Sequence, residues 1–91
     1  MATVRAIVGS PVGLHARPAA VFVRAVVASG LAVTISRVVS ADADARAPTD
    51  ARSILGVLAL DVGHGEEVEL TADGAGAAAV LAQLASLLAA G

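Results

Sequence analysis

The stretch Glu67-Val68-Glu69-Leu70-Thr71-Ala72 alternates polar and apolar residues without a break. Only an extended strand with one dry face and one wet face satisfies such a period of two. It is the clearest strand in the chain. Val4, Ala6 and Val8 alternate with Thr3, Arg5 and Ile7 in the same way, and Val33 and Ile35 with Thr34 and Ser36. Strands of this kind pair into a largely antiparallel sheet that exposes one face to water, and something else has to cover the other face.

Two segments supply the cover. Ala19, Phe22, Val23 and Val26 recur at the spacing of one helical face, which predicts a helix from about Ala16 to Val27. Pro18 falls in its first turn, where a missing N–H costs no internal hydrogen bond, and Gly30 closes it. A last helix begins near Ala75 or Gly76, with Val80, Leu81, Leu84, Leu87 and Leu88 along one broad face. Between the sheet segments lies Ile54-Leu55-Gly56-Val57-Leu58-Ala59-Leu60, apolar throughout and silent on period. Ser53 before it is a preferred N-cap, which favours a helix. Asp42 to Asp50 reads as a weak strand that faces solvent, confined by Pro48 to a sheet edge. Gly63-His64-Gly65 is a turn, and Ser10 to Gly13 is a loop. The element order is then βαββαβα, an α+β sandwich with one helical layer.

Composition narrows the function. Ninety-one residues suit one domain spanning 1–91. With no cysteine, neither a disulfide framework nor a thiolate metal site is available. The six basic residues, all arginine, face eight acids for a net charge of −2, and Phe22 is the sole aromatic. That is no footprint for nucleic acid. The longest uncharged stretch, Ala75 to Gly91, is short for a membrane span and contains Gln83 and Ser86. The N-terminus lacks the apolar segment of a signal peptide. A cytoplasmic protein without membrane contact is expected. Asp42, Asp44 and Asp50 lack the ligand spacing of a metal site, and His64 reads as plain surface.

Chemistry concentrates in the octet Gly13-Leu14-His15-Ala16-Arg17-Pro18-Ala19-Ala20. His15 stands at the expected helix start, where unpaired N–H groups and the helix dipole favour anions. A histidine there is suited to carry a phosphoryl group. Neutral imidazole is the nucleophile, and a positive helix end disfavours a second positive charge. After transfer, the same helix end stabilises the phosphate, with the N–H groups of Ala16 and Arg17 as donors because Pro18 has none. Arg17 adds a guanidinium that forms charge-assisted hydrogen bonds to phosphate oxygens. No metal or cofactor is called for.

With these residues in view, the chain resembles the HPr family, the histidine-containing phosphocarriers of the bacterial sugar phosphotransferase system. Gly13 to Ala19 looks like the family's phosphorylation-site motif. Arg52 to Leu60 looks like its second motif, which holds a regulatory serine in some members, and Gly65 to Leu70 looks like the turn and strand that follow. The resemblance implies an open-faced sandwich: a four-stranded antiparallel sheet covered on one side by three helices. It also implies a carrier, and not a self-sufficient enzyme. Such a carrier accepts a phosphoryl group from enzyme I, which phosphoenolpyruvate charges, and passes it to enzyme IIA domains for sugar uptake.

By position, the resemblance makes His15 the phosphohistidine, through Nδ1, and Arg17 the active-site arginine. Ser53 matches the regulatory serine, a target for a serine kinase, although its N-cap role alone also explains it. Ala20, Arg24, Ile54, Leu55 and Leu58 form the expected partner surface on a monomeric carrier. Ile54, Leu55 and Leu58 either cover the core or form an exposed apolar patch, and the resemblance favours the patch for at least some of them; Arg24 is equally a solvated charge. Three departures from the family pattern stand out. Residue 12 is usually polar and here is Val12. The segment between Ile35 and Ser53 is longer than usual. Asp61 occupies a place where glycine is frequent. A specialised branch, serving dihydroxyacetone kinase or nitrogen regulation, and a regulatory docking module of the same fold are the rival readings.

Overall fold

The computed structural model describes residues 1–38 and 48–90. Four strands and three helices follow in the order β1 (Ala2–Ile7), α1 (Ala16–Ser29), β2 (Thr34–Arg37), β3 (Thr49–Asp50), α2 (Ile54–Ala59), β4 (Glu67–Ala72) and α3 (Ala77–Ala90). The strands form one antiparallel sheet in the order β1-β4-β2-β3. Helices cover one face, so the α+β open-faced sandwich is present as expected.

Register explains which face is dry. Val4 pairs with Leu70 and Leu70 with Ile35, giving one apolar row across the sheet, and Ala6 pairs with Val68. The neighbouring row of Arg5, Glu69 and Ser36 points the other way, and there Arg5 Nε donates to Glu69 Oε2 at 3.2 Å. Against the dry face pack Phe22 and Val26 from α1, Val57 from α2, and Leu81, Leu84 and Leu88 from α3, all buried. Phe22 is fully enclosed, and burial of such a side chain contributes about 1.5–3 kcal/mol.

Element ends follow local chemistry. α1 runs two residues past Val27: Gly30 caps it in the left-handed region at φ +75°, and Ser29 Oγ donates to the Val26 carbonyl. α3 starts at Ala77 and no earlier, because Gly74 and Gly76 both hold positive φ. The apolar run after Ser53 is helical. Ser53 Oγ accepts from Gly56 N–H at 3.1 Å, the N-cap bond that its sequence position implied. Just before it, the Asp50 carboxylate accepts from the Nε, NH2 and backbone N–H of Arg52. That guanidinium, joined by the backbone N–H, holds the Asp50 carboxyl below its usual range. β3 lies at the sheet edge, directly after Pro48. The rest of the expected edge strand, with Asp42 and Asp44, lies outside the described residues, as does most of the lengthened segment. No helix among the described residues is long and apolar enough to cross a membrane.

Candidate functional site

His15 is the N-cap residue of α1, with extended backbone at φ −133° and ψ 167°. Two neighbours fix it there. Leu14 is fully buried, and its N–H donates to the Val62 carbonyl at 2.9 Å. Gly13 takes a positive φ of +74° after a turn in which its N–H donates to Ser10 O, with Pro11 at the position that turns favour. Ala16, the first residue of α1, then adopts φ +51°, uncommon for a residue with a Cβ. The first intrahelical bond runs from Ala19 N–H to His15 O at 3.4 Å. The earlier N–H groups of Ala16 and Arg17 have no backbone partner among the described residues, and remain available to an anion.

The imidazole is half-exposed. Its Nε2 lies 3.4 Å from Asp61 Oδ1. Asp61 follows α2 and also holds a positive φ, +53°, which aspartate tolerates better than most residues. The sequence marked position 61 only as a departure from glycine. Its approach to His15 is a contact between distant parts of the chain that no local pattern encodes. The other departure nearby, Val12, is exposed and apolar and contributes no polar group.

A support for this corner comes from β2. Register places Arg37 on the same face as Ile35, and its guanidinium pairs with the Glu66 carboxylate. The second Glu66 oxygen accepts from Gly63 N–H at 2.6 Å. That backbone donor, with Arg37 second, holds the Glu66 carboxyl below its usual range. Glu66 thus closes the turn that begins just after Val62, the residue to which Leu14 is bonded.

Arg17 is exposed on the first turn of α1 and makes no ion pair among the described residues. It borders a cleft of about 200 Å³ lined by Val8, Ser10, Leu14, Val21 and Leu88, among others. Apart from Arg17 and the buried Ser10 the lining is apolar, and His15 is not part of it. Ser10 carries no mark in the sequence that would single it out.

The remaining expected residues spread over one side. α1 packs against α2, which brings the Ser53 segment next to the His15 helix. Ala20 is half-buried and Arg24 exposed. Leu55 is 78% exposed and Ile54 is exposed as well, whereas Leu58 is partly buried and packs against the core. Of the three, Leu58 therefore divides its surface between core and solvent. His64 is exposed in its turn. No group of acids and histidines among the described residues has the arrangement of a metal site.

Comparison with known proteins agrees with this architecture. The family described as PTS HPr component phosphorylation site matches residues 2–90. The chain is 48% identical to the phosphocarrier protein HPr of Streptomyces coelicolor (strain ATCC BAA-471 / A3(2) / M145), over 100% of this chain and 91% of that protein. It is similar to the crystal structure of a phosphocarrier protein HPr from Bacillus anthracis str. Ames, with a TM-score of 0.83 and 30% identity over 96% of this chain and 95% of that one. The HPr-C-His structure from Thermoanaerobacter tengcongensis is similar with a TM-score of 0.81 and 30% identity, over 97% and 91% of the two chains. A histidine at a helix start, on an open-faced sandwich that these relatives share from end to end, leaves one conclusion: the chain belongs to the HPr family of phosphocarrier proteins.

Proposed function

We propose that this chain is a monomeric, single-domain cytoplasmic carrier that accepts a phosphoryl group on His15 Nδ1 from enzyme I and passes it to enzyme IIA domains. It acts stoichiometrically, and the sugar enters the cell through the partners. The observation that carries the reading is the placement of His15: half-exposed at the start of α1, with Nε2 3.4 Å from Asp61 and the N–H groups of Ala16 and Arg17 without backbone partners among the described residues. In this reading Nδ1 attacks phosphorus. The N–H groups of Ala16 and Arg17 and the positive helix end then face the phosphate, where the dipole favours negative charge. Arg17 neutralises charge on the group in transit. Ala20, Arg24, Ile54 and Leu55, with the solvent side of Leu58, form the surface that the two classes of partner cover in turn. Ser53 is the point at which a serine kinase would interrupt that docking.

The test is direct. Phosphoenolpyruvate and enzyme I should place an acid-labile phosphate on the protein, and an enzyme IIA domain should remove it. His15→Ala should fold normally and take no label. Retention of label in that variant, for instance on His64, would overturn the assignment.

A further inference from the structure

We propose that Asp61 is a positioning residue for phosphoryl transfer: its carboxylate keeps the ring proton of His15 on Nε2, so that Nδ1 presents its lone pair to phosphorus. The inference rests on the carrier reading above and adds to it a residue from outside both sequence motifs.

Geometry carries it. Asp61 Oδ1 stands 3.4 Å from Nε2, an ion-pair contact that places the negative charge beside this nitrogen. The carboxylate is placed from the backbone. Asp61 N–H donates to Leu58 O at 3.1 Å, and the next residue, Val62, holds Leu14 N–H. Ala16 and Asp61 are the two non-glycine residues with positive φ among those described. One adjoins His15 in the chain and the other touches its ring, so both uncommon conformations converge on the same side chain. The Val12 side chain offers no polar atom that could do this work. Among the described residues, the acid within ion-pair distance of the ring is Asp61, and the ring stands at the positive N-terminal end of α1.

The chemistry follows from what each group can donate. A neutral imidazole has one N–H and one lone pair, and a carboxylate can only accept. Asp61 therefore favours the tautomer with hydrogen on Nε2. In the loading step the Nδ1–P bond forms from the Nδ1 lone pair. The donor's own bond to phosphorus breaks, and its electron pair stays on the donor. No proton leaves Nε2, so the ring of His15 becomes a phosphoimidazolium beside the carboxylate. In the unloading step the Nδ1–P bond breaks and its pair returns to Nδ1. Because Nε2 has kept its proton, the departing group is neutral imidazole and not an imidazolate. Asp61 thus serves both directions by stabilising the protonated ring.

Asp61→Gly and Asp61→Asn test this, since glycine accepts the positive φ freely and asparagine keeps an acceptor without the charge. Nitrogen-15 NMR of the uncharged protein should find His15 in the Nε2–H form in the parent and in Asp61→Asn, with the Nδ1–H form rising in Asp61→Gly. After loading by enzyme I, phosphate loss should be followed across pH. Water screens so exposed a pair, so the acid-driven loss should move to lower pH by about half a unit in both variants, about a threefold slowing at a given pH. Coincident pH profiles for parent and Asp61→Gly overturn the proposal, as does an unchanged tautomer in Asp61→Gly. The NMR arm needs no phosphate. If the parent fails to load, the carrier reading fails, while the tautomers still decide whether Asp61 governs the ring.

Discussion

Gly13 and Val62 meet backbone to backbone: a Cβ on residue 13 would fall under 3.0 Å from both the Val62 carbonyl oxygen and Gly63 Cα. The same carbonyl accepts from Leu14 N–H. This joint fixes the approach to α1 against the turn before β4, and so sets His15 beside Asp61.

Gly13→Ala should therefore damage more than local φ preference. The new methyl meets backbone, which cannot step aside as a flexible side chain would. Gly30→Ala is the control, with φ +75° but open space around the site. Its expected cost is about 1 kcal/mol, the usual penalty for a side chain in the left-handed region. Gly13→Ala should cost more, roughly 2–4 kcal/mol from strain and the disturbed Leu14 hydrogen bond. It should also slow loading by enzyme I. Urea unfolding of both variants, with a loading assay on each, checks this. Equal destabilisation would mean that the joint yields.

Ser53 has a structural duty of its own. Its Oγ caps a helix of six residues by accepting from Gly56 N–H. Ser53→Ala should lower stability by about 1 kcal/mol and leave docking intact. Ser53→Asp retains an acceptor at the cap, so the thermal midpoint should stay close to the parent's. Its charge, however, lies beside the exposed Leu55 and Ile54, where a partner's acidic surface would repel it. Affinity for enzyme I should fall in Ser53→Asp alone. Titration calorimetry and thermal unfolding of the two variants separate cap from interface.

Glu66 makes stability depend on pH. Its folded carboxyl titrates below the ordinary glutamate value of 4.5, chiefly through Gly63 N–H and then through Arg37. The unfolded chain therefore binds a proton at higher pH than the native one does. The stabilisation is present in full well above 4.5 and fades as the pH falls through that value toward the lower folded one. Glu66→Gln keeps the shape and an acceptor but loses the charge. It should be less stable than the parent near neutrality, and the gap should close on acidification. Denaturation midpoints at several pH values check this, and a gap that stays constant with pH would remove the charge from the account.

The sheet and the long helices were legible because each has one wet face. Val68, Leu70 and Ala72 declare their side of β4 through the polar residues between them, and Phe22 and Val26 do the same for α1. The Ile54–Ala59 run has no such contrast, and only the Ser53 cap pointed to a helix. The site was legible in part for a physical reason. His15, Arg17 and Pro18 sit within one turn, so their relation is local. His15 with Asp61, Leu14 with Val62 and Arg37 with Glu66 are joined by the fold across long stretches of chain. The positive φ of Ala16 is equally silent, since alanine gives no hint of a left-handed backbone.

Arg17 offers the sharpest kinetic prediction. Its side chain projects from the first turn of α1, is exposed, and has no acidic partner among the described residues. A guanidinium at a positive helix end is mildly unfavourable on electrostatic grounds, so the fold gains nothing from its charge. Arg17 borders the apolar cleft with Val21 and Leu14, and a lysine there has methylenes of its own to offer. Arg17→Lys should therefore unfold within about 0.5 kcal/mol of the parent, as exposed substitutions usually do. Transfer should respond differently. A guanidinium grips two phosphate oxygens with a planar fork, whereas an ammonium offers a compact point charge on a flexible stem. The loss of one charge-assisted hydrogen bond to the group in transit, about 1.5–3 kcal/mol, corresponds to a slowing of roughly 10- to 100-fold. Rapid-quench measurement of phosphate passing from enzyme I to the carrier, and from the carrier to an enzyme IIA domain, reads both steps. Unchanged rates in both directions would show that Arg17 is a solvated charge with no part in transfer.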